Sequence, residues 1–340
     1  MHHPNGCDSY PLQGYSAIRC AVMILGFVAS AMSQTDEQLP VVRRLDGVVY
    51  ELEPPRTWVY HEEKGVCLEL VLHAPKAKGP HPCVLVIGGG AWRVGGAWSG
   101  YARALAREGV AAVTMTHRTI PEFTWPAQIE DAERAMRFLR HHAVDFGIDP
   151  TRIGVAGVSS GAQLAAMLGT RPDARLPGAT DQLLRESTRP SCVLSYSGPM
   201  DLVYDPGRPP AEFQAQLVLD LVGFSGPWTV DGIRKGMARC RTASPIYQVD
   251  AGDPPFLLVH GAKDGVVTPD HSRRMAAKLV EVNVTCVHLE LPEADHMDYL
   301  WDLTSPIGVL RQRGVLSLPP WWAATRHFLS RHLVDTSVGK

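Results

Sequence analysis

Residues 153–168 read IGVAGVSSGAQLAAML, and this stretch decides the fold. Ile153–Val158 is a continuous apolar run, which is typical of a strand buried on both faces. Ser160–Leu168 is rich in small residues and predicts a helix. Between them, Gly157-Val158-Ser159-Ser160-Gly161 is a G-x-S-x-G pentapeptide, whose strained strand-to-helix turn exposes the middle hydroxyl at the carboxyl edge of a sheet. We therefore predict that Ser159 is a nucleophile; the alternative is a glycine-rich turn with an incidental serine.

The rest of the chain alternates between apolar runs of strand length and helical stretches. The predicted strands are Val66–His73, Cys83–Ile87, Val110–Met115, Ile153–Val158, Cys192–Tyr196, Pro255–His260 and Thr285–Leu291. The predicted helices are Tyr101–Glu108, Gln128–His141, Ser160–Leu168, Pro269–Val282 and Trp321–His332. This alternation predicts an α/β fold with a mostly parallel central sheet and helices on both faces. The Pro- and Gly-rich segment 203–254 breaks the alternation and predicts a small cap or a set of long loops near Ser159.

The N-terminal residues differ from the rest of the chain. Residues 21–31 form a short apolar run that follows Arg19 and ends in small residues, a pattern typical of a signal peptide. We predict a signal peptide over residues 1–33, a flexible mature N-terminus over 34–48, one domain over 49–335, and a secreted or periplasmic location. Because the apolar run is too short to span a bilayer comfortably, we expect no stable membrane insertion of the mature chain. The alternatives are an uncleaved membrane anchor and a helix that packs on the domain.

Charge and cysteine content exclude several function classes. The 340 residues include 33 Lys and Arg against 35 Asp and Glu, without a basic block, so nucleic acid is not an expected partner. The seven cysteines include no CxxC pair, and buried free thiols are expected, with one or two disulfides left open. Metal-ligand clusters, phosphate-binding loops and dinucleotide fingerprints are absent from the sequence, so neither a metal nor a cofactor is expected. Composition does not predict the oligomeric state.

A second motif lies directly after the predicted strand Cys83–Ile87. Here Gly88-Gly89-Gly90-Ala91-Trp92 forms a glycine-rich loop at the carboxyl end of a buried strand. Such a loop can direct backbone N–H groups at the oxyanion of a tetrahedral intermediate. The alternative is a plain glycine-rich turn.

These motifs resemble those of α/β-hydrolase fold esterases and lipases, close to the hormone-sensitive-lipase-like and feruloyl-esterase-like branches. The matching pieces, in family order, are Gly88–Gly95, Pro126 with Asp131, Asp149–Ile153 and Gly157–Gly161. The resemblance implies an α/β-hydrolase fold and a serine esterase that needs no cofactor.

The glycine loop departs from this family at one position. The family's loop reads His-Gly-Gly-Gly or His-Gly-Gly-Ala-Trp, and Gly88 stands where the family has a histidine that helps to hold the loop. The resemblance implies that the amides of Gly90 and Ala91 form an oxyanion hole with that of Ser160, or that Gly89 takes part if the loop is shifted by one residue. The missing histidine puts the preorganisation of this hole in question.

The resemblance also implies an acid and a base that follow Ser159 in the order Ser, Asp, His. Asp264 lies in the loop after the strand Pro255–His260, where it can orient an imidazole. Asp201, which also follows a strand, is the fallback acid. His296 lies in the loop after the last strand and is the predicted base.

Together these residues predict a two-step acyl transfer on a small-molecule carboxylic ester. Predicted export and the feruloyl-esterase-like resemblance suggest acylated carbohydrates as one substrate class. Candidate pocket residues are Trp92, Trp125 and Tyr196, with ordinary packing as the alternative for each. Two rival functions stay open: an amide-cleaving relative, such as a peptidase or formamidase, and a non-catalytic binding protein on the same fold.

Overall fold

The computed structural model describes residues 50–96, 98–203, 212–226, 229–300 and 319–334, and one eight-stranded sheet lies at its centre. The strands are β1 (Arg56–Glu63), β2 (Val66–His73), β3 (His81–Ile87), β4 (Ala111–Met115), β5 (Ile148–Val158), β6 (Val193–Tyr196), β7 (Phe256–Gly261) and β8 (Cys286–Leu291).

The sheet is mostly parallel. Its strand order is β1-β2-β4-β3-β5-β6-β7-β8. Strand β2 runs antiparallel to β1 and β4, and every other adjacent pair is parallel. The side chains of β4, β6 and β7 are all buried. Strands covered on both faces need no polar side, which explains why they appear in the sequence as continuous apolar runs.

Helices cover both faces of this sheet. In chain order they are α1 (Ser99–Arg107), α2 (Ala127–His141), α3 (Ala143–Phe146), α4 (Ser160–Thr170), α5 (Glu212–Leu221), α6 (Val230–Thr242), α7 (Asp270–Glu281) and α8 (Pro320–Leu329). Short 3-10 turns lie at Leu183–Arg185, Pro245–Tyr247 and Asp298–Leu300, and α8 continues into a π-helical turn at Ser330–Val334. The predicted α/β-hydrolase fold, with a mostly parallel sheet between helices, is confirmed.

Alternate residues of the central strands supply two separate cores. On β3, Val84 and Val86 pack with residues of α1 and α8. Leu85 and Ile87 point the other way, into a core that also holds residues of α2, α4 and α7. Each large aliphatic side chain buried in this way contributes about 1.5–3 kcal/mol to stability. This double burial fixes the strand ends, and with them the loops that carry Ser159 and its neighbours.

The structure differs from the sequence prediction in two places. Strand β1 was not predicted, because its sequence RTWVYHEE is polar and half exposed, as expected for an edge strand paired on one side. The segment 203–254, predicted as a small cap or long loops, holds the helices α5 and α6 and the turn Pro245–Tyr247. Its role as a cap stays a prediction.

The predicted signal peptide over residues 1–33 and the flexible segment 34–48 lie outside the described residues. Among the residues that the structure does describe, no helix combines the length and the apolar character that crossing a membrane requires. The cysteines Cys83, Cys192, Cys240 and Cys286 are free thiols.

Candidate active site

Ser159 occupies a sharp turn between β5 and α4. Its backbone has φ 53° and ψ −123°, a conformation that residues other than glycine rarely adopt. The turn is held by a hydrogen bond from the Ser159 amide to the carbonyl of Tyr196 at 2.9 Å. Strain of this kind persists only where the surrounding structure enforces it, and here it projects the hydroxyl beyond the carboxyl end of the strand.

Two glycines allow this turn to pack against its neighbours. A Cβ atom at Gly157 would lie 2.1 Å from the carbonyl oxygen of Gly161. A Cβ atom at Gly161 would lie 2.3 Å from the carbonyl oxygen of Ile87, at the end of β3. Both distances are far below van der Waals contact, so only glycine fits at either position. The pentapeptide thus brings β5, α4 and the glycine loop after β3 into backbone contact.

His296 and Asp264 complete a chain of hydrogen bonds that begins at Ser159. His296 Nε2 lies 3.0 Å from Ser159 Oγ, and His296 Nδ1 lies 2.7 Å from Asp264 Oδ2. Because an ionised carboxylate only accepts, Nδ1 carries the proton and Nε2 is free to accept one from the serine hydroxyl. The structure therefore brings together the three residues predicted as nucleophile, base and acid.

Asp264 is buried and surrounded by hydrogen-bond donors. Its Oδ1 accepts from the amides of Val266 at 2.9 Å and Val267 at 2.8 Å. Burial alone would raise the pKa of this carboxyl, but the hydrogen bonds from His260 and His296 outweigh it and hold the pKa well below its usual range. Asp264 is therefore ionised at neutral pH and suited to orient an imidazole.

The glycine loop passes close to the Ser159 side chain. A Cβ atom at Gly89 would lie 3.2 Å from the Ser159 Cβ. Positive φ angles at Gly90 (131°), Ala91 (54°) and Trp92 (57°) turn the loop back on itself, and the amide of Arg93 donates to the Gly90 carbonyl at 3.0 Å.

The four amides predicted as oxyanion donors are those of Gly89, Gly90, Ala91 and Ser160. Within the described part of the chain, none of these four amides donates a hydrogen bond. The Ser160 amide is in addition the first N–H of helix α4, where no intrahelical acceptor exists and the helix dipole favours negative charge. Unpaired N–H groups next to a reactive hydroxyl are what an oxyanion hole requires.

The structure gives a steric reason for Gly88 at the position of the family's histidine. A Cβ atom on this residue would lie 1.9 Å from the carbonyl oxygen of Gly96. The backbone of Gly96 therefore occupies the space that the Cβ atom of a histidine at position 88 would need. Its support comes instead from Trp92, whose indole N–H donates at 3.0 Å to Gln163 on α4.

Gln163 is a residue that the sequence analysis did not single out. It is fully buried, accepts from Trp92 and donates to the carbonyl of Ala243 at 2.6 Å. The signal that could have drawn attention to it is a lone polar side chain within the apolar run of α4.

The three predicted pocket residues lie in different environments. Trp125 is half buried, next to the end of α5, and its amide donates to the carbonyl of Leu221 at 2.7 Å. Trp92 is buried beneath the glycine loop, where it supports the loop and does not present a surface to solvent.

The prediction that Tyr196 lines the pocket needs correction. Its side chain is fully buried, and its hydroxyl is shared with Tyr101 at 2.9 Å and Thr325 at 2.7 Å. As the last residue of β6 it points into the core beneath α1 and α8, because alternate residues of a strand face opposite sides of the sheet.

The fallback acid, Asp201, lies in a different cluster. Its carboxylate accepts from Arg274 at 2.6 Å and from the Tyr247 hydroxyl at 3.2 Å. These bonds connect the start and the end of the segment between β6 and β7 to helix α7. The hydrogen-bond partner of His296 is Asp264 and not Asp201.

Residues 70–279, more than half of the chain, match the BD-FAE family model. The chain belongs to the BD-FAE family. Membership in the α/β-hydrolase esterase and lipase group, which the sequence motifs predicted, is thereby confirmed.

Two sequence relatives of this BD-FAE chain come from Mycobacterium tuberculosis. Esterase LipC is 30% identical over 250 residues, which cover 71% of this chain and 59% of LipC. Esterase LipQ is 30% identical over 222 residues, which cover 63% of this chain and 50% of LipQ. The chain thus spans little more than half the length of these relatives.

A solved structure shares the fold. The acetyl ester-xyloside bifunctional hydrolase from Caldicellulosiruptor lactoaceticus superimposes with a TM-score of 0.62 at 22% identity, covering 81% of this chain and 95% of that protein. At this level of identity the likeness concerns the fold alone.

Proposed function

We propose that this chain is a carboxylic ester hydrolase that works through an acyl-enzyme intermediate on Ser159. The observation that carries the proposal is the hydrogen-bond chain from Ser159 Oγ through His296 to Asp264, at 3.0 and 2.7 Å, beside four unpaired amides. The similarity to the esterases LipC and LipQ supports the same reaction class.

The reaction has two steps. His296 Nε2 takes the hydroxyl proton as Ser159 Oγ attacks the ester carbonyl, and Asp264 stabilises the imidazolium that forms. The amides of Gly90, Ala91 and Ser160, with Gly89 as the alternative, stabilise the oxyanion. His296 then returns the proton to the leaving alcohol. In the second step His296 takes a proton from water as the water attacks the acyl carbonyl; the carboxylic acid then leaves, and His296 returns the proton to Ser159 Oγ.

The proposal is tested by replacing the nucleophile. We expect Ser159→Ala to lower the rate of p-nitrophenyl acetate hydrolysis by a factor of about 10⁴ or more, because the hydroxyl that His296 Nε2 contacts is lost. Ser191→Ala is the matched control, because Ser191 lies before β6 and its hydroxyl donates to the Thr151 carbonyl, away from Ser159. Turnover by Ser159→Ala at the wild-type rate would contradict the proposal.

The rival readings are separated by two further measurements. A fluorophosphonate should attach to the wild-type chain and fail to attach to Ser159→Ala; an unlabelled wild type would favour a non-catalytic binding protein. Parallel assays of p-nitrophenyl acetate and p-nitroacetanilide compare ester with amide cleavage on one acyl group. Faster turnover of the anilide would favour the amide-cleaving reading.

We further propose that acylated carbohydrates are among the substrates. The proposal is supported by the structural likeness to an acetyl ester-xyloside bifunctional hydrolase and to a carbohydrate esterase from gut microbiota. We expect release of acetate from acetylated xylose with a higher kcat/KM than from ethyl acetate. Equal kcat/KM values for the two esters would remove this part of the proposal.

A further inference from the structure

His260 is a buried histidine that the proposed mechanism does not use, and it touches the triad acid. It lies on β7, and its side chain has no exposure to solvent. Its Nε2 is 3.1 Å from Asp264 Oδ2, the oxygen to which His296 Nδ1 donates at 2.7 Å. Two imidazoles, one on a strand and one on the loop after the next strand, thus meet at a single carboxylate oxygen.

The partners of His260 fix which ring nitrogen carries a proton. Nε2 faces two groups that only accept, the Asp264 carboxylate and the carbonyl of Val267 at 2.8 Å. Nδ1 lies 2.6 Å from the hydroxyl of Ser272, which can donate or accept. Nε2 therefore carries a hydrogen whether the ring is neutral or charged, and Ser272 donates to Nδ1 when the ring is neutral.

This arrangement ties three pieces of backbone to the acid. His260 belongs to β7, Val267 belongs to the loop after β7 that carries Asp264 (the acid loop), and Ser272 lies fully buried on α7. The residue after His260 is also close to the base: a Cβ atom at Gly261 would lie 2.3 Å from the carbonyl oxygen of Asp295, next to His296. The acid loop and the loop after β8 that carries His296 are thus both anchored at the end of β7.

We propose that His260 is a positioning residue: its Nε2–H holds the Asp264 carboxylate and divides the negative charge of Oδ2 between two imidazoles. This inference rests on the proposed roles of Ser159, His296 and Asp264. A carboxylate oxygen with two donors stabilises the imidazolium form of His296 less than one with a single donor. His260 therefore weakens the pull of Asp264 on the proton of His296 Nδ1 and holds the carboxylate in the orientation that His296 meets.

Other titratable groups act on His260 from the surrounding elements. They are His271 on α7 and His288 and Glu290 on β8. Substitutions of His260 leave all three groups in place, so that a change in the pH profile reports the loss of the His260 N–H and not the removal of these charges.

The test compares three variants with the wild-type chain. His260→Met removes the N–H while filling a similar volume, and His260→Gln restores an amide N–H that can reach the carboxylate. His73→Met is the matched control, because His73 is also buried but lies on β2, remote from the triad strands. Each variant is assayed for kcat and KM on p-nitrophenyl acetate from acid to alkaline pH, and its thermal unfolding is recorded.

We expect His260→Met to lower kcat by about 10- to 100-fold with little change in KM, because the misplaced base acts in the transition state and not in binding. The acid limb of its pH profile should move up by about half a pH unit or more, because the imidazolium form of His296 gains stability. His260→Gln should recover most of both effects, and His73→Met should keep kcat within about twofold of wild type.

Two outcomes would overturn the inference. The first is a folded His260→Met that keeps the wild-type kcat. The second is a loss of kcat without movement of the acid limb, which is what a purely structural role predicts. If His260→Met does not fold, Ser272→Ala decides in its place: it should move the acid limb in the same direction by a smaller amount, and an unmoved limb contradicts the proposal.

A spectroscopic measurement separates failure of this inference from failure of the proposed function. The His296 Nδ1–H, hydrogen-bonded to Asp264, should give a proton NMR signal far downfield, and loss of the second donor should shift it in His260→Met. This signal does not depend on ester turnover. If the signal shifts in a chain that hydrolyses no ester, the contact from His260 is supported and the esterase proposal is contradicted. If the signal does not shift in an active enzyme, only the inference about His260 is contradicted.

Discussion

At the scale of single residues, backbone contacts decide which side chains the site tolerates. Gly88 lies where a histidine was expected from the family, yet the carbonyl of Gly96 already fills the place of its Cβ atom. The expected loss of preorganisation is offset by the bond from Trp92 to Gln163, which supports the loop from below. The support that the family's histidine gives to the loop is thus supplied here by the hydrogen bond of the Trp92 side chain.

This reading predicts the effect of adding a single methyl group. Gly88→Ala should lower kcat/KM by about 100-fold, because the clash shifts the loop by a distance comparable to 1 Å. It should also cost about 1–3 kcal/mol of stability through overpacking. Gly178→Ala is the control, because a Cβ atom there meets nothing within 4 Å. Ester kinetics and urea unfolding measure both effects, and equal behaviour of the two variants would refute the steric explanation.

At the scale of elements, helix α5 contacts the residue that follows the glycine loop. Asp220 near its end pairs with Arg93, two residues beyond Ala91. The same helix end receives the amide of Trp125. The side chains of Arg93 and Asp220 are 47% and 22% exposed, so salt can screen the pair and its contribution to stability is small.

We therefore expect Asp220→Asn to change function more than stability. Its kcat/KM should fall about two- to fivefold at low salt, because the loop loses a tether, while the free energy of unfolding changes by less than about 1 kcal/mol. Wild type in 1 M salt, where the Debye length is about 3 Å, should approach the variant. Asp231→Asn, which breaks an exposed pair within α6, is the matched control. A kcat/KM independent of both salt and Asp220 would exclude a functional tether.

At the scale of the whole molecule, titratable groups that are partly or fully buried make folding depend on pH. His271 is the clearest case: burial lowers its pKa from 6.5 to about 4, and its Nδ1 accepts from the amide of Asp201 at 3.3 Å. In the unfolded chain His271 takes up a proton below about pH 6.5, whereas in the folded chain it does so only near pH 4. The unfolded state therefore binds more protons in this window, and stability falls as the pH drops through it.

Replacing this histidine should flatten that dependence. We expect the loss of unfolding free energy between pH 7 and pH 5 to be about 2 kcal/mol smaller in His271→Asn than in wild type, since asparagine can accept the Asp201 bond without titrating. His142→Asn, at an exposed histidine after α2, should keep the wild-type dependence. Urea unfolding at both pH values gives the comparison, and identical slopes in wild type and His271→Asn would contradict it.

How far the sequence predicted the molecule depends on the kind of residue involved. The strands between two helical layers were predicted because burial on both faces leaves continuous apolar runs, whereas β1, half exposed, leaves no such run. Ser159, Asp264 and His296 could be named because each follows a strand in a fixed order. Tyr196 was misassigned because position at the end of a strand does not by itself tell to which face of the sheet the last side chain points.

The close contacts among Gly157, Gly161 and the end of β3 have a consequence for how substrate preference can vary. At these two glycines the turn that carries Ser159 packs against main chain, and main chain offers the same amides and carbonyls whatever the neighbouring sequence. No side chain can be introduced there to enlarge, narrow or charge the space behind Ser159. Adaptation to a new acyl or alcohol group has to come from the opposite side, where loops and helices can change without disturbing the chemistry.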